Sequence, residues 1–191
     1  MRIIGIGGTN GSGKDTVGEV LEHDHGFLFI SVTDMLRAEC RERGLAVERE
    51  NLRMISAEWR RAQGLGAVID KAIEVYQTQD GKYSGLAIAS LRNPGENVRV
   101  HALGGQVWWI DADPELRYER ITGSDRGRGG EDSKSYDQFL AEEAAEMHPA
   151  EGADETALHS AAVRDMADVT IVNESSLAEL KYAVAKHLAG N

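Results

Sequence analysis

The stretch Gly8-Thr9-Asn10-Gly11-Ser12-Gly13-Lys14-Asp15-Thr16 constrains this chain more than any other. Before it lies an apolar run, Arg2 to Gly7 (RIIGIG), which reads as a buried strand. After it, Lys14 to His25 places Val17, Val20 and Leu21 at helical spacing, and Gly26 ends the helix. Glycines in a strand-to-helix turn let successive backbone N–H groups converge on an anion. The helix N-terminus adds partial positive charge, and a lysine at its first position reaches the outer phosphates. The order G-x-x-G-x-G-K differs from the G-x-G-x-x-G turn of dinucleotide-binding sheets. The hydroxyl arrives one place late, because Asp15 follows the lysine and Thr16 comes next.

The rest of the chain alternates strand and helix. Phe27–Val32, Gly85–Leu91, Gln106–Asp111 and Val169–Val172 read as further buried strands. Thr33 or Asp34 reads as the cap of a helix running to about Arg43. Glu48–Gln63 carries one apolar stripe, Leu52, Ile55, Trp59 and Ala62, and Val68–Gln77 continues helically. Pro94 and Asp113-Pro114 open two more helices, and Tyr136–Met147, Thr156–Met166 and Leu177–Leu188 complete the set. The polar, glycine-rich segment 123–135 reads as a loop. Apolar strands alternating with helices imply a parallel sheet covered on both faces.

At 191 residues and 41% apolar, the chain is sized for one domain with a packed core. Its net charge of −11 argues against a general nucleic-acid coat. The single Cys40 excludes an internal disulfide and a multi-cysteine zinc site. With no span-length apolar run and no signal-like N-terminus, a cytoplasmic protein without membrane or nucleic-acid partners is expected. His23-Asp24-His25 lies at a helix end and lacks metal-ligand spacing, and Trp108 and Trp109 read as core.

The shifted GK-x-T form resembles adenylate kinase and the deoxynucleoside monophosphate kinases. Ser31-Val32-Thr33-Asp34-Met35-Leu36-Arg37, strand-end Arg92, and Asp111 through Ile121 with Arg117 and Arg120 match that group in order. The final turn, Ile171 through Ser176, resembles that of the dephospho-coenzyme A kinases. The resemblance implies a three-layer α/β P-loop NTPase fold: a five-stranded parallel sheet in the order 2-3-1-4-5, flanked by helices. One domain, 1–191, would carry an acceptor-binding segment at about 33–80 and a lid at about 122–150.

By the same resemblance, ATP is the donor, Mg2+ the cofactor and a (deoxy)nucleoside monophosphate the acceptor. The donor phosphates would lie on Gly8, Asn10, Gly11, Ser12, Gly13, Lys14, Asp15 and Thr16, with Arg117 and Asn173 also on the ATP side. Ser31, Asp34, Arg37 and Arg92 would face the acceptor. Thr16 and Asp34 would serve the metal, partly through water. Lys14, Asp34, Arg92 and Arg120 would carry catalysis, and Arg126 and Arg128 would sit on the lid. Ala89 stands where the group usually has a carboxylate before the strand-end arginine. Two alternatives stay open: a dephospho-coenzyme A kinase using Asp15 or Asp34 as base, and a non-catalytic nucleotide-binding switch. The protein is expected to be a monomer or homodimer.

Overall fold

A computed structural model describes residues 1–123 and 135–190. Arg126 and Arg128 lie outside the described residues. The strands are β1 (Arg2–Gly8), β2 (Phe27–Ser31), β3 (Gly85–Leu91), β4 (Gln106–Asp111) and β5 (Val169–Val172). They form one parallel sheet in the order β2-β3-β1-β4-β5, as expected. The helices are α1 (Lys14–His25), α2 (Val32–Glu42), α3 (Arg49–Gln63), α4 (Ala67–Gln77), α5 (Pro94–Ala102), α6 (Pro114–Thr122), α7 (Tyr136–Met147), α8 (Ser160–Asp165) and α9 (Leu177–Ala189).

Strand side chains alternate between two cores, as period-two geometry requires. Ile3, Leu86, Ile88, Val107 and Trp109 pack with α2, α3 and α4 through Leu36, Ile55, Trp59, Val68 and Ile69. Ile4, Ile6, Ala87, Ala89, Trp108 and Ile110 pack with α1 and α9 through Val17, Leu21, Leu180 and Val184. Helices on both faces account for strands that are apolar on both faces. Because all strands are parallel, Gly8, Ser31, Leu91, Asp111 and Val172 end at one edge of the sheet. Ligands bind along that edge in open α/β sheets.

Three element boundaries differ from expectation. β2 ends at Ser31, and Val32 is already helical, because its side chain turns into the core beneath α2. Ser31 is therefore the N-cap residue of α2, and Asp34 sits inside the first turn rather than at the cap. The helix expected over Thr156–Met166 is confined to Ser160–Asp165. Residues 154–159 instead turn, with Asp154 accepting from Thr156 N and the carbonyls of Glu155 and Ala157 accepting from Asn93.

Candidate active site

The turn between β1 and α1 is built tightly. Ser12 is fully buried, and its Oγ donates to Thr9 O at 2.9 Å. Gly11 has φ 79°, and a Cβ there would lie 2.6 Å from the carbonyl oxygen of Arg117. Gly13 has φ 92°, and a Cβ there would meet the Asn173 side-chain nitrogen at 2.3 Å. Both positions need glycine for conformation and for space. Lys14 opens α1 and is buried at 7% exposure.

The loop is braced from two sides. Asn173, just past β5, donates from Nδ2 to Ser12 O at 2.8 Å, and its own N–H donates to Asp111 O. Arg117, expected among the ATP ligands, is 2% exposed and turned inward. Its Nε donates to Ala112 O at 2.8 Å and its Nη1 to Asn10 O at 3.3 Å, while Glu143 of α7 takes the outer edge of the guanidinium. Asn173 and Arg117 hold the loop's backbone in shape.

A cleft of about 950 Å³, its open mouth included, lies beside this loop. Asn10, Lys14, Asp15, Thr33, Arg37, Ser90 and Arg92 line it, together with Arg49, Arg53, Ser56 and Arg60 of α3. The structure thus brings Lys14, Arg37 and Arg92 to one cavity. Arg49, Arg53 and Arg60 were not anticipated. Their signal was present, because residues 49, 53, 56 and 60 fall at i, i+4, i+7 and i+11 and so share one helix face.

Arg92 is held by its backbone. Glu96 Oε2 accepts from the N–H groups of Arg92 and Asn93, at 2.7 and 3.1 Å. The other oxygen, Oε1, accepts from Arg60 Nη2 at 2.6 Å in a pair whose side chains are 2% and 0% exposed. The Arg92 guanidinium pairs with Glu146 of α7. Burial, then the charges of Arg49 and Arg53, push the Arg92 guanidinium down to about 10. It remains a cation at neutral pH.

Ser90 lies beside Arg92 and has φ 74°. The β1–β3 register pairs Ile6 with Ala89 and Gly7 with Leu91, so Ser90 is skipped. This bulge turns Ser90 toward the cleft. Ala89, which stands in place of the carboxylate usual in the resembled kinases, is fully buried against the α1 side of the sheet.

Other named residues lie elsewhere. Asp34 is exposed and pairs with Arg37 at 2.8 Å. Thr16 is half-buried on α1, and Ser31 is half-buried at the start of α2. None of these three is among the described residues lining the cleft. Arg120 is half-buried, and its Nη1 makes no hydrogen bond within the described residues. Within those residues, no helix is long and apolar enough to cross a membrane.

Sheet order, glycine turn and flanking helices together define a P-loop kinase-like α/β fold. Over 99% of its length the chain resembles TT1252 from Thermus thermophilus, covering 97% of that chain at TM-score 0.56 and 23% identity. It resembles a shikimate kinase from Bacteroides thetaiotaomicron at TM-score 0.56 and 11% identity, covering 98% of this chain and 97% of that one. A gluconokinase from Sinorhizobium meliloti superposes at TM-score 0.53 and 16% identity, covering 98% and 91%. At these identities the likeness is one of fold, and it does not single out the nucleoside monophosphate kinases. The chain belongs to the AAA domain family, whose profile matches residues 4–151, and to the UPF0200 proteins, sharing 32% identity over 138 residues with one from Methanothrix thermoacetophila, 70% of each chain. A UPF0200 protein from Pyrobaculum aerophilum is 29% identical over 98% of this chain and 97% of its own.

Proposed function

We propose that the protein transfers the γ-phosphoryl group of ATP to a small anionic acceptor, for which a (deoxy)nucleoside monophosphate is the leading choice. One observation carries this reading: Lys14, Arg37, Arg49, Arg53, Arg60 and Arg92 line a single cleft that opens beside the glycine turn. A protein of net charge −11 concentrates six cations there. Clustered guanidiniums, with their planar forks, suit phosphate or carboxylate oxygens.

The loop amides and Lys14 would hold the donor phosphates. Arg37 and Arg92, with Arg49 and Arg53, would fix the acceptor in line. Arg120 and a lid arginine would neutralise the moving group. A phosphate acceptor is already an anion, so no base is needed, and catalysis rests on positioning and electrostatics. Magnesium takes hard oxygen donors, with one or two carboxylates completing a shell of phosphates and water. The cleft-facing Asp15 fits that chemistry and would hold the ion, whereas Thr16 lies outside the cleft lining. Asp34, tied to Arg37 outside the cleft lining, fits it less well. Bound there, magnesium would neutralise charge on the donor phosphates.

Asp15 in the cleft also supports a second reading, a hydroxyl acceptor deprotonated by that carboxylate. A coupled kinase assay separates the two. It would offer a panel of nucleoside monophosphates, dephospho-coenzyme A, and the shikimate and gluconate for which the two named kinases are called. Transfer to the monophosphates supports the first reading, and transfer confined to the hydroxyl compounds supports the second. Calorimetric ATP binding with no transfer to any acceptor would overturn both in favour of a nucleotide-binding switch.

A further inference from the structure

We propose that Glu146 of α7 is the resident counter-ion of the acceptor site and that the acceptor's own anionic group displaces it. This rests on the anionic-acceptor reading above. Glu146 Oε1 accepts from Arg53 Nη2 at 3.1 Å and faces Arg49 Nη1 at 3.5 Å, while Oε2 pairs with Arg92 Nη1. Arginines from α3 and from the end of β3 therefore converge on one carboxylate whose side chain is 13% exposed. A carboxylate offers guanidinium forks the same planar oxygen pair that a phosphate or ligand carboxylate would.

The charge count at this spot is uneven. Three guanidiniums, those of Arg49, Arg53 and Arg92, face two carboxylates there, Glu146 and the Glu142 that pairs with Arg49 at 2.7 Å. A phosphate dianion would supply more charge than Glu146 does, so it competes well for the same forks.

α7 is also built to let go. Phe139 is its one buried residue, held against Tyr118 near the helix start. Met147 at its far end packs half-buried against the main core, and the attachments between are ionic: Glu142 to Arg49 at 2.7 Å, Glu143 to Arg117, and Glu146 to the cluster. Glu146 lies one residue before the last of the helix. With Phe139 near its start, Met147 at its end and carboxylates between them, the helix can loosen once a stronger anion takes the arginines. Arg117 also contacts Asn10, so departure of α7 would be felt at the donor loop.

The experiment uses the full chain and inorganic phosphate as the probe, in chloride of fixed ionic strength. Calorimetry should find Glu146→Gln binding phosphate about tenfold more tightly than the native protein, a gain of about 1.4 kcal/mol. Hydrogen exchange on the native protein, which needs no variant, should show α7 amides exchanging faster when phosphate is added. Unchanged or weaker phosphate binding by folded Glu146→Gln, unchanged or slower exchange in α7, or no phosphate binding at all would each overturn the proposal. Transfer to an acceptor without release of α7 would overturn it and leave the kinase reading standing. Release of α7 without transfer to any acceptor would do the reverse.

Discussion

Glu96 and Arg60 meet in the interior at 2.6 Å, and the second oxygen of Glu96 holds the backbone of Arg92. One buried carboxylate thus ties α3 to the turn that carries a cleft arginine. Removing one partner of a buried pair strands the other charge, which costs about 3–5 kcal/mol. Glu96→Gln is expected to destabilise the fold by about that much in urea denaturation. A loss under about 1 kcal/mol would show that water compensates Arg60 and that the pair is dispensable.

Asn173 closes the glycine turn from the far end of the chain. Asn173→Ala removes a buried donor from Ser12 O, a change worth about 1–3 kcal/mol. Its effect should appear in ATP affinity, as a rise in Kd of roughly five- to 150-fold by calorimetry. Lost global stability with unaltered ATP affinity would assign Asn173 to the fold alone.

Lys14 and Arg53 should part company kinetically. Lys14→Ala is expected to abolish transfer in the coupled assay, since the proposed reading gives Lys14, at the start of α1 in the cleft, the donor phosphates. Arg53→Ala should raise the acceptor KM by roughly tenfold or more and leave the ATP KM unchanged. An unchanged acceptor KM would remove α3 from the acceptor site.

Acid stability should depend on four carboxylates. Their partners hold Asp24 (Lys181), Glu58 (Arg43), Asp154 (Thr156, then Arg61) and Glu179 (Ser176) below their ordinary values. Groups depressed on folding stabilise the protein above their unfolded values, near 3.8 for Asp and 4.5 for Glu, and lose that contribution as pH falls through the folded values. Thermal midpoints should be level from these four groups above about pH 5 and fall steadily below it. Replacing all four with amides should flatten that fall, and an unaltered acid limb would place the cause elsewhere.

Some of this was open to sequence reasoning because it is local. The glycine turn and the strands follow from periodicity and strand-end glycines, while the strand order and the convergence of Lys14, Arg37 and Arg92 come with the resemblance to the monophosphate kinases. The arginines of α3 were harder. Leu52, Ile55 and Trp59 announce a buried face, but Arg49, Arg53 and Arg60 on the adjoining face look in sequence like any solvated stripe. Only the approach of α5 and α7 makes them a cleft wall, and Glu96 lies 36 positions from Arg60. The setting of Arg117 was hidden for a similar reason: three residues before Arg120 it resembles a second cleft cation, while the carbonyls of Ala112 and Asn10 draw it beneath the loop. Val32 joined α2 because core packing outweighed its preference for extended structure.

The Gly13–Asn173 contact has a bearing on how the protein comes into being. The glycine turn leaves the ribosome well before the side chain that secures it, which arrives 160 residues later, with β5 beside β4. Until then the turn has its sequence and lacks its brace. A chain stalled before β5 could form most of the sheet and still grip nucleotide poorly. Competence to bind would then be acquired only once β5 and Asn173 are in place, making nucleotide capture a readout of a finished sheet.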